Sequence, residues 1–247
     1  MGVASRRQCE ELILQGVVSV NRQVVDTLPA FVDPEKDVIT VAGRRIAPAR
    51  KVYFLLNKPK GVLCTSRDTH GLRRLACRTS RAQSSRRPTA VELVGSSERI
   101  FCVGRFDADT SGVLILTNDS ELANRLTHPK YQVPKTYQAK VKAEVTDEVL
   151  EKLKKGVWLA EGKATVASVK VLGHSRAESL LEITITQGLN RQVHRMLAKV
   201  GLRVKSLRRT AIGKLTAKGL ALGESRPLTK AEVAYFTRSV GGRPDIY

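Results

Sequence analysis

Two aspartates, Asp107 and Asp109, stand two residues apart in "VGRFDADTSGVLILTND", just ahead of residues 113–117. That run is apolar, lacks alternation and is rich in branched residues, which predicts a buried strand. The aspartates therefore fall in the loop feeding a rigid strand, where a carboxylate is either a surface decoration or a nucleophile at the mouth of a cleft. A carboxylate nucleophile must stay ionised, and burial alone raises its pKa, so it requires a cation beside it. Arg105 lies two residues upstream of Asp107. A second group lies in "LNRQVHRMLAKVG", where helical spacing puts Val193, Met196, Leu197 and Val200 on one apolar face and ends at Gly201. Arg191, His194 and Arg195 share the neighbouring face.

Composition selects the partner. Lys and Arg number 43 against 23 Asp and Glu, a formal charge of +20, so the expected ligand is a polyanion, with nucleic acid ahead of acidic lipid. Aromatics are only 4%, which argues against a stacking platform for single strands. Cys9, Cys64, Cys77 and Cys102 form no C-x-x-C pair, and His70, His128, His174 and His194 show no metal-ligand spacing, so neither a disulfide framework nor a metal site is expected. No run approaches the ~18 apolar residues of a membrane helix, and no signal peptide is apparent at Met1.

The elements that must position these groups fall into two domains. Residues 1–47 read as one unit. "SRRQCEELILQG" carries Ser5 and Gln8 at capping-box spacing, with Gly16 as its stop. "VVSV" and "QVV" read as strands flanking Asn21-Arg22, and "DVITVAGRRI" as a further strand with a turn at Gly43. Arg6 and Arg7 fall in the helix's first turn, where unpaired N–H groups favour phosphate. After a linker at 48–51, residues 52–240 form the larger domain, and 241–247 a tail. Its first strand, "VYFLLNKPKGVLCTS", closes on a Pro-Gly turn. Between Asp68 and Glu92 no acidic residue occurs, whereas Arg73, Arg74, Arg78, Arg81, Arg86 and Arg87 do. Residues 72–86 therefore read as a flexible basic insertion, either a solvated loop or a clamp on RNA backbone. "NDSELANRL" predicts a helix capped at Asn118 or Asp119, and "TDEVLEKLKKG" and "LTKAEVAYF" two more, the last with a Thr229/Glu232 capping box. "TYQAKVKAEV", "ATVASVKVL" and "SLLEITIT" alternate like half-buried strands.

"GVASRRQCEELILQGVVSVNRQVV" resembles an S4 RNA-binding domain whose first helix is missing, with Arg22 where the family's tight turn usually has Gly, so a distorted hairpin is expected. The larger domain resembles the RsuA/RluB/RluF family of rRNA pseudouridine synthases, whose signature is roughly G-R-L-D-x-x-T-x-G-L-L-L-L-T-N-D. Gly104, Arg105, Asp107, Thr110, Gly112, Thr117, Asn118 and Asp119 match it. "NKPKGVLCTS", "RRPTAVELV", "HPKYQVPKTYQAKV", "QGLNRQVHRMLAKVGLRVKSLRRTAIG" and "LGESRPLTKAE" follow the family's other blocks in order, and "QGLNRQ" leans toward the RluF-like branch.

The resemblance implies an α+β fold, a mixed, largely antiparallel sheet flanked by helices with an RNA cleft across it. It implies isomerisation of uridine to pseudouridine in rRNA, with the large subunit expected, by a monomer that uses no cofactor. Asp107 is implied as the catalytic carboxylate, attacking the base at C6 or the sugar at C1′, and Tyr137 as the ring stacked on the uracil. RNA contacts are implied or expected at Arg6, Arg7, Lys58, Arg105, Lys135, Arg191 and Arg195. The family's cation opposite the Asp is Arg or Lys, and here that slot holds His194. An imidazolium could fill it, since a neighbouring carboxylate raises a His pKa above ~6.5. Activity is then expected to fall as pH rises through roughly 7 to 8. The competing class is an rRNA-binding assembly factor that kept the fold and lost the chemistry. A general basic RNA chaperone is a third. Bacterial cytoplasm and an organelle matrix both suit the cysteine pattern and the ribosomal partner that the resemblance implies.

Overall fold

The computed structural model describes residues 3–33, 36–65 and 87–239. The basic stretch 72–86 and the tail 241–247 lie outside the described residues. The chain divides into two compact units, Met1–Lys51 and Val52–Tyr247.

In the first unit, helix α1 (Arg6–Leu14) starts at Ser5, whose hydroxyl accepts from the Gln8 N–H at 3.3 Å, while Gln8 Oε1 accepts from the Ser5 N–H at 3.1 Å. Strands β1 (Val18–Val20), β2 (Gln23–Val25), β3 (Ile39–Val41) and β4 (Arg44–Arg45) form a sheet in the order β2-β1-β3-β4. The β1–β2 hairpin is not distorted by Arg22. Val20 pairs with Gln23, and Asn21 and Arg22 both take positive φ, 51° and 70°. The Asn21 side chain holds this turn. Its Nδ2 donates to Asp37 at 2.8 Å, and its Oδ1 accepts from the Val38 N–H at 3.0 Å. Those bonds offset the roughly 1–3 kcal/mol that a left-handed non-glycine costs.

The second unit contains, in chain order, β5 (Tyr53–Lys58), α2 (Ala90–Val94), β6 (Phe101–Cys102), β7 (Thr110–Thr117), α3 (Ser120–Thr127) and β8 (Lys135–Lys142). There follow α4 (Asp147–Lys155), the hairpin β9 (Val157–Leu159) and β10 (Gly162–Ala164), then β11 (Ser168–His174), β12 (Ser179–Ile185), α5 (Gln192–Lys199), β13 (Arg203–Ile212), β14 (Leu215–Thr216), β15 (Ser225–Pro227) and α6 (Lys230–Ser239). A single large sheet runs β11-β12-β8-β13-β7-β5-β15, with β14 paired to β13 and β6 to β7. Among the strand pairs described only β13–β7 is parallel, and an isolated bridge between Leu63 and Thr89 is parallel too, so the class is α+β with a mixed, largely antiparallel sheet.

Strand β7 is buried at all eight positions, as the unbroken apolar run at 113–117 predicts, and Asp119 caps α3 by accepting from the Glu121 and Leu122 N–H groups. β12 alternates between buried and half-buried, one face against the core. "ATVASVKVL" is not one strand. Ala164 ends β10 and β11 begins at Ser168, because the Thr165 N–H goes to Gln187 Oε1 (3.0 Å) instead of a ladder partner. One apolar cluster joins Leu181 and Ile183 of β12 to Met196 and Leu197 of α5. Another joins Ile115 of β7 to Leu122 of α3 and Phe236 of α6. The two clusters hold α5 and β7, the two carriers of the candidate chemistry.

Candidate active site

The loop carrying Asp107 is fixed from beneath. Lys58, at the end of β5, is fully buried, and its Nζ donates to the carbonyls of Thr110 (2.9 Å), Pro59 (3.0 Å) and Ala108 (3.4 Å). The Gly61 N–H donates to Ala108 O at 2.8 Å, and the Thr110 N–H to Asp107 O at 3.1 Å. Burial pushes the Lys58 pKa down, and the nearby Asp109 and Asp107 carboxylates act against that shift. The expectation that Lys58 contacts RNA is therefore corrected, because its ammonium faces backbone carbonyls and none of it is exposed. Lys58→Met should leave RNA affinity within about twofold and lower turnover about 100-fold, the size of effect that follows when a reacting group shifts by about 1 Å. Binding and single-turnover assays on the same variant check this. A parallel loss of affinity would restore the RNA-contact role.

Asp107 opens into a cavity of about 710 Å³ whose wall includes Arg105, Lys135, Tyr137, Arg191, His194 and Arg209. Among the described lining residues it is the lone carboxylate. Its Oδ2 lies 2.9 Å from Arg191 Nη1 and 3.9 Å from His194 Nδ1. Arg191 is aimed by its backbone. It is the residue before α5, in the left-handed region at φ 47°, ψ 34°, and not a member of the helix. A network of amides holds that conformation. Gln192, 3% exposed, donates to Gln187 Oε1 at 2.9 Å and accepts from the Leu189 N–H at 3.3 Å. Tyr137, on β8, is buried at the cavity wall and sits opposite Arg209 of β13 in the ladder. The arrangement presents one carboxylate, one aromatic ring and several cations around a space large enough for a nucleotide.

Residues 52–199 match the family model described as RNA pseudouridylate synthase. The chain belongs to that family. A ribosomal large subunit pseudouridine synthase B of Bacillus subtilis is 42% identical over 94% of this chain and 90% of its own length. An RNA pseudouridine synthase of Aquifex aeolicus is 39% identical over 97% and 91%. A relative from Arabidopsis thaliana, named as chloroplastic, is 34% identical over 94% of this chain and 57% of its own. A crystal structure of a pseudouridylate synthase superposes with a TM-score of 0.63 at 26% identity, covering 94% of both chains.

In this RNA pseudouridine synthase the cation opposite Asp107 is Arg191, and the expectation for His194 changes accordingly. Burial lowers the His194 pKa first and the Arg191 charge lowers it further, while Asp107 and Asp109 pull in the opposite direction without prevailing. His194 is thus neutral at neutral pH, and the expected decline between pH 7 and 8 has no imidazolium to drive it. At saturating RNA the wild-type turnover should be level across that range. Arg191→Met removes the second of the two effects that lower His194 and leaves burial, the larger, opposed by the Asp107 and Asp109 carboxylates. Turnover of that variant should be about 100-fold lower at neutral pH, as for loss of a preorganised charge. What activity remains should fall with rising pH, in contrast to the level wild type, because the imidazolium empties as pH rises through its pKa. A level profile in Arg191→Met would show that His194 carries no charge for Asp107.

The other predicted site residues are spread more widely. Arg105 is exposed at the cavity. Arg195 does not line it. Its guanidinium is taken by Glu161 of the β9–β10 turn, with bonds of 2.8 and 3.0 Å, so the expected RNA contact becomes a tie between α5 and that hairpin. Arg6 is almost wholly exposed beside Glu10, and Arg7 is exposed. Lys135 is half-buried and donates to Val133 O at 3.0 Å. Burial, and then the Arg209 charge, push its pKa down to about 8. If Lys135 meets phosphate as an ammonium, RNA affinity falls as pH rises through about 8, by about tenfold between pH 7 and 9, since binding must then take up a proton. Lys135→Arg should abolish the dependence in a binding titration. Unchanged pH dependence in that variant would place the titrating group elsewhere.

Sequence reasoning missed Arg209 and Phe106. Arg208 and Arg209 look equivalent in the chain, yet Arg208 is exposed and Arg209 is 5% exposed. The available signal was parity, because Arg209 shares a strand face with Leu207.

Proposed function

We propose that this pseudouridine synthase isomerises a uridine of large-subunit rRNA, with Asp107 as nucleophile, Tyr137 stacked on the everted base and no cofactor. The carrying observation is the Asp107–Arg191 pair at 2.9 Å, in which the lone carboxylate among the described lining residues stands among cations. Breaking the N1–C1′ bond, turning the uracil and joining C5 to C1′ conserves atoms and oxidation state, since C5 loses one proton and the freed N1 takes one up. Tyr137, buried at the wall, limits the orientations of the ring. Arg105 and Lys135 steer the flanking phosphates, and eversion of the base is a cost the bound state must meet. The names of the Bacillus subtilis and Arabidopsis thaliana relatives support the large subunit as substrate and a bacterial or plastid setting. The first unit serves as an S4-like RNA-binding module with Arg6 and Arg7 on phosphate, and the enzyme acts as a monomer. His194 sits beside the pair as a neutral neighbour of the carboxylate.

The test is to incubate the wild type and Asp107→Asn with unmodified ribosomal RNA and map pseudouridine by carbodiimide-stop primer extension. A discrete large-subunit site with the wild type and none with the variant is expected. Binding without a modified site in either would instead support an assembly factor.

A further inference from the structure

Three buried side-chain atoms lack a hydrogen-bond partner among the described residues: Asn57 Oδ1, Arg195 Nε and Arg209 Nη2. Of these, only Arg209 belongs to a residue lining the catalytic cavity. Its other contacts are settled. Nε donates to Val113 O of β7 at 2.8 Å, and the guanidinium carbon lies 4.0 Å from the centroid of the Phe106 ring, next to Asp107 in the chain. The residue is 5% exposed, so water does not readily serve the remaining donor. A guanidinium keeps its charge at any working pH, and a buried N–H of that kind is retained where something else supplies the acceptor. Its neighbours narrow what that is: Tyr137 lies opposite in the ladder, and the Asp107 loop lies across Phe106.

We propose that Arg209 Nη2 donates a hydrogen bond to O4 of the everted uracil, making Arg209 a further substrate-contacting residue and a determinant of uracil over cytosine. This deepens, and rests on, the proposed function. The chemistry selects O4. If the Asp107 carboxylate adds at C6, the C5–C6 π pair moves through C4 onto O4. If the C1′–N1 bond breaks first, its electron pair stays on the ring at N1 and spreads to O2 and, through C6 and C5, to O4. O4 therefore gains negative charge on both routes, and a fixed cationic donor there stabilises the charge as it develops. Cytosine presents an amino group at the same place, a donor facing a donor. Turning the freed ring about its C6–N3 axis exchanges O4 and O2. The same Nη2 then meets a carbonyl oxygen again as C5 bonds to C1′ and loses its proton.

The experiment uses the full chain and a synthetic stem-loop bearing the uridine mapped as above, so absence of any mapped site counts against the function and not against this contact. Single-turnover rates are measured with uridine and with 4-thiouridine at that position, the sulfur being a weaker acceptor. Wild type should slow at least tenfold on 4-thiouridine. Arg209→Lys and Arg209→Gln should be about 100-fold slower on uridine, as for loss of one preorganised donor, with RNA affinity within about threefold. Their further loss on 4-thiouridine should be less than twofold. An equal thio penalty in wild type and variants would make Arg209 a structural support for Phe106 and overturn the contact, as would a full rate in Arg209→Gln. Should both variants fail to fold, an unslowed wild type on 4-thiouridine overturns it alone.

Discussion

Asp107→Asn should abolish isomerisation, by about 10⁴-fold or more, while the protein remains folded and binds RNA at least as well as before. The size follows from the proposed role, since an amide neither attacks carbon nor leaves, and removal of a nucleophile costs several powers of ten. Persistence of the fold follows from the surroundings. The side chain is partly exposed, its ion pair is with Arg191 on the cavity wall, and the loop is held through backbone carbonyls by Lys58 and Gly61. Affinity does not fall because the lost charge is the one negative group among the described cavity residues, so the site becomes more positive toward phosphate. Circular dichroism, an RNA titration and pseudouridine mapping read the three statements separately. Turnover above about 1% of wild type would remove Asp107 from the nucleophile's place.

Gly112→Ala should produce the second large effect, on stability and activity together. Gly112 of β7 pairs with Arg209 of β13 at the parallel crossing, with φ at +107°. A Cβ there would lie 2.0 Å from the Arg209 carbonyl oxygen and 2.9 Å from its nitrogen, both backbone atoms. No side chain can swing away, so the two central strands must part. A buried clash of this kind, added to an unfavourable φ, costs about 4 kcal/mol or more. At about 2–4 °C per kcal/mol for a domain of this size, the melting midpoint should fall by about 10 °C. Turnover should fall beyond what unfolding explains, because the same crossing sets Arg209 and the Asp107 loop. Gly173→Ala is the control, with nothing within 4 Å and an ordinary φ, and it should behave as wild type. A normal melt and rate in Gly112→Ala would show that the strands can separate at little cost.

The parts legible from the chain alone were those set by local periodicity and capping. The apolar run at 113–117 appears as a fully buried strand with Asp107 in the loop before it. Ser5 with Gln8 and Thr229 with Glu232 cap their helices because three-residue spacing alone brings side chain to backbone. The net charge of +20 pointed to a polyanion without reference to fold. Tertiary structure decided which cation serves which anion. In the chain, Lys58 resembles an RNA contact, Arg195 resembles Arg191, and His194 occupies the slot expected for the partner of Asp107. Folding buries Lys58 under three carbonyls, gives Arg195 to Glu161 and turns the Arg191 backbone left-handed onto Asp107. It also leaves His194 half-buried and beside a guanidinium, which reverses the direction in which its proton affinity moves. The physical reason is range. Helix caps and strand faces depend on neighbours a few residues away, whereas the charge state and partner of a side chain depend on every group within about a Debye length, including those brought there from distant segments.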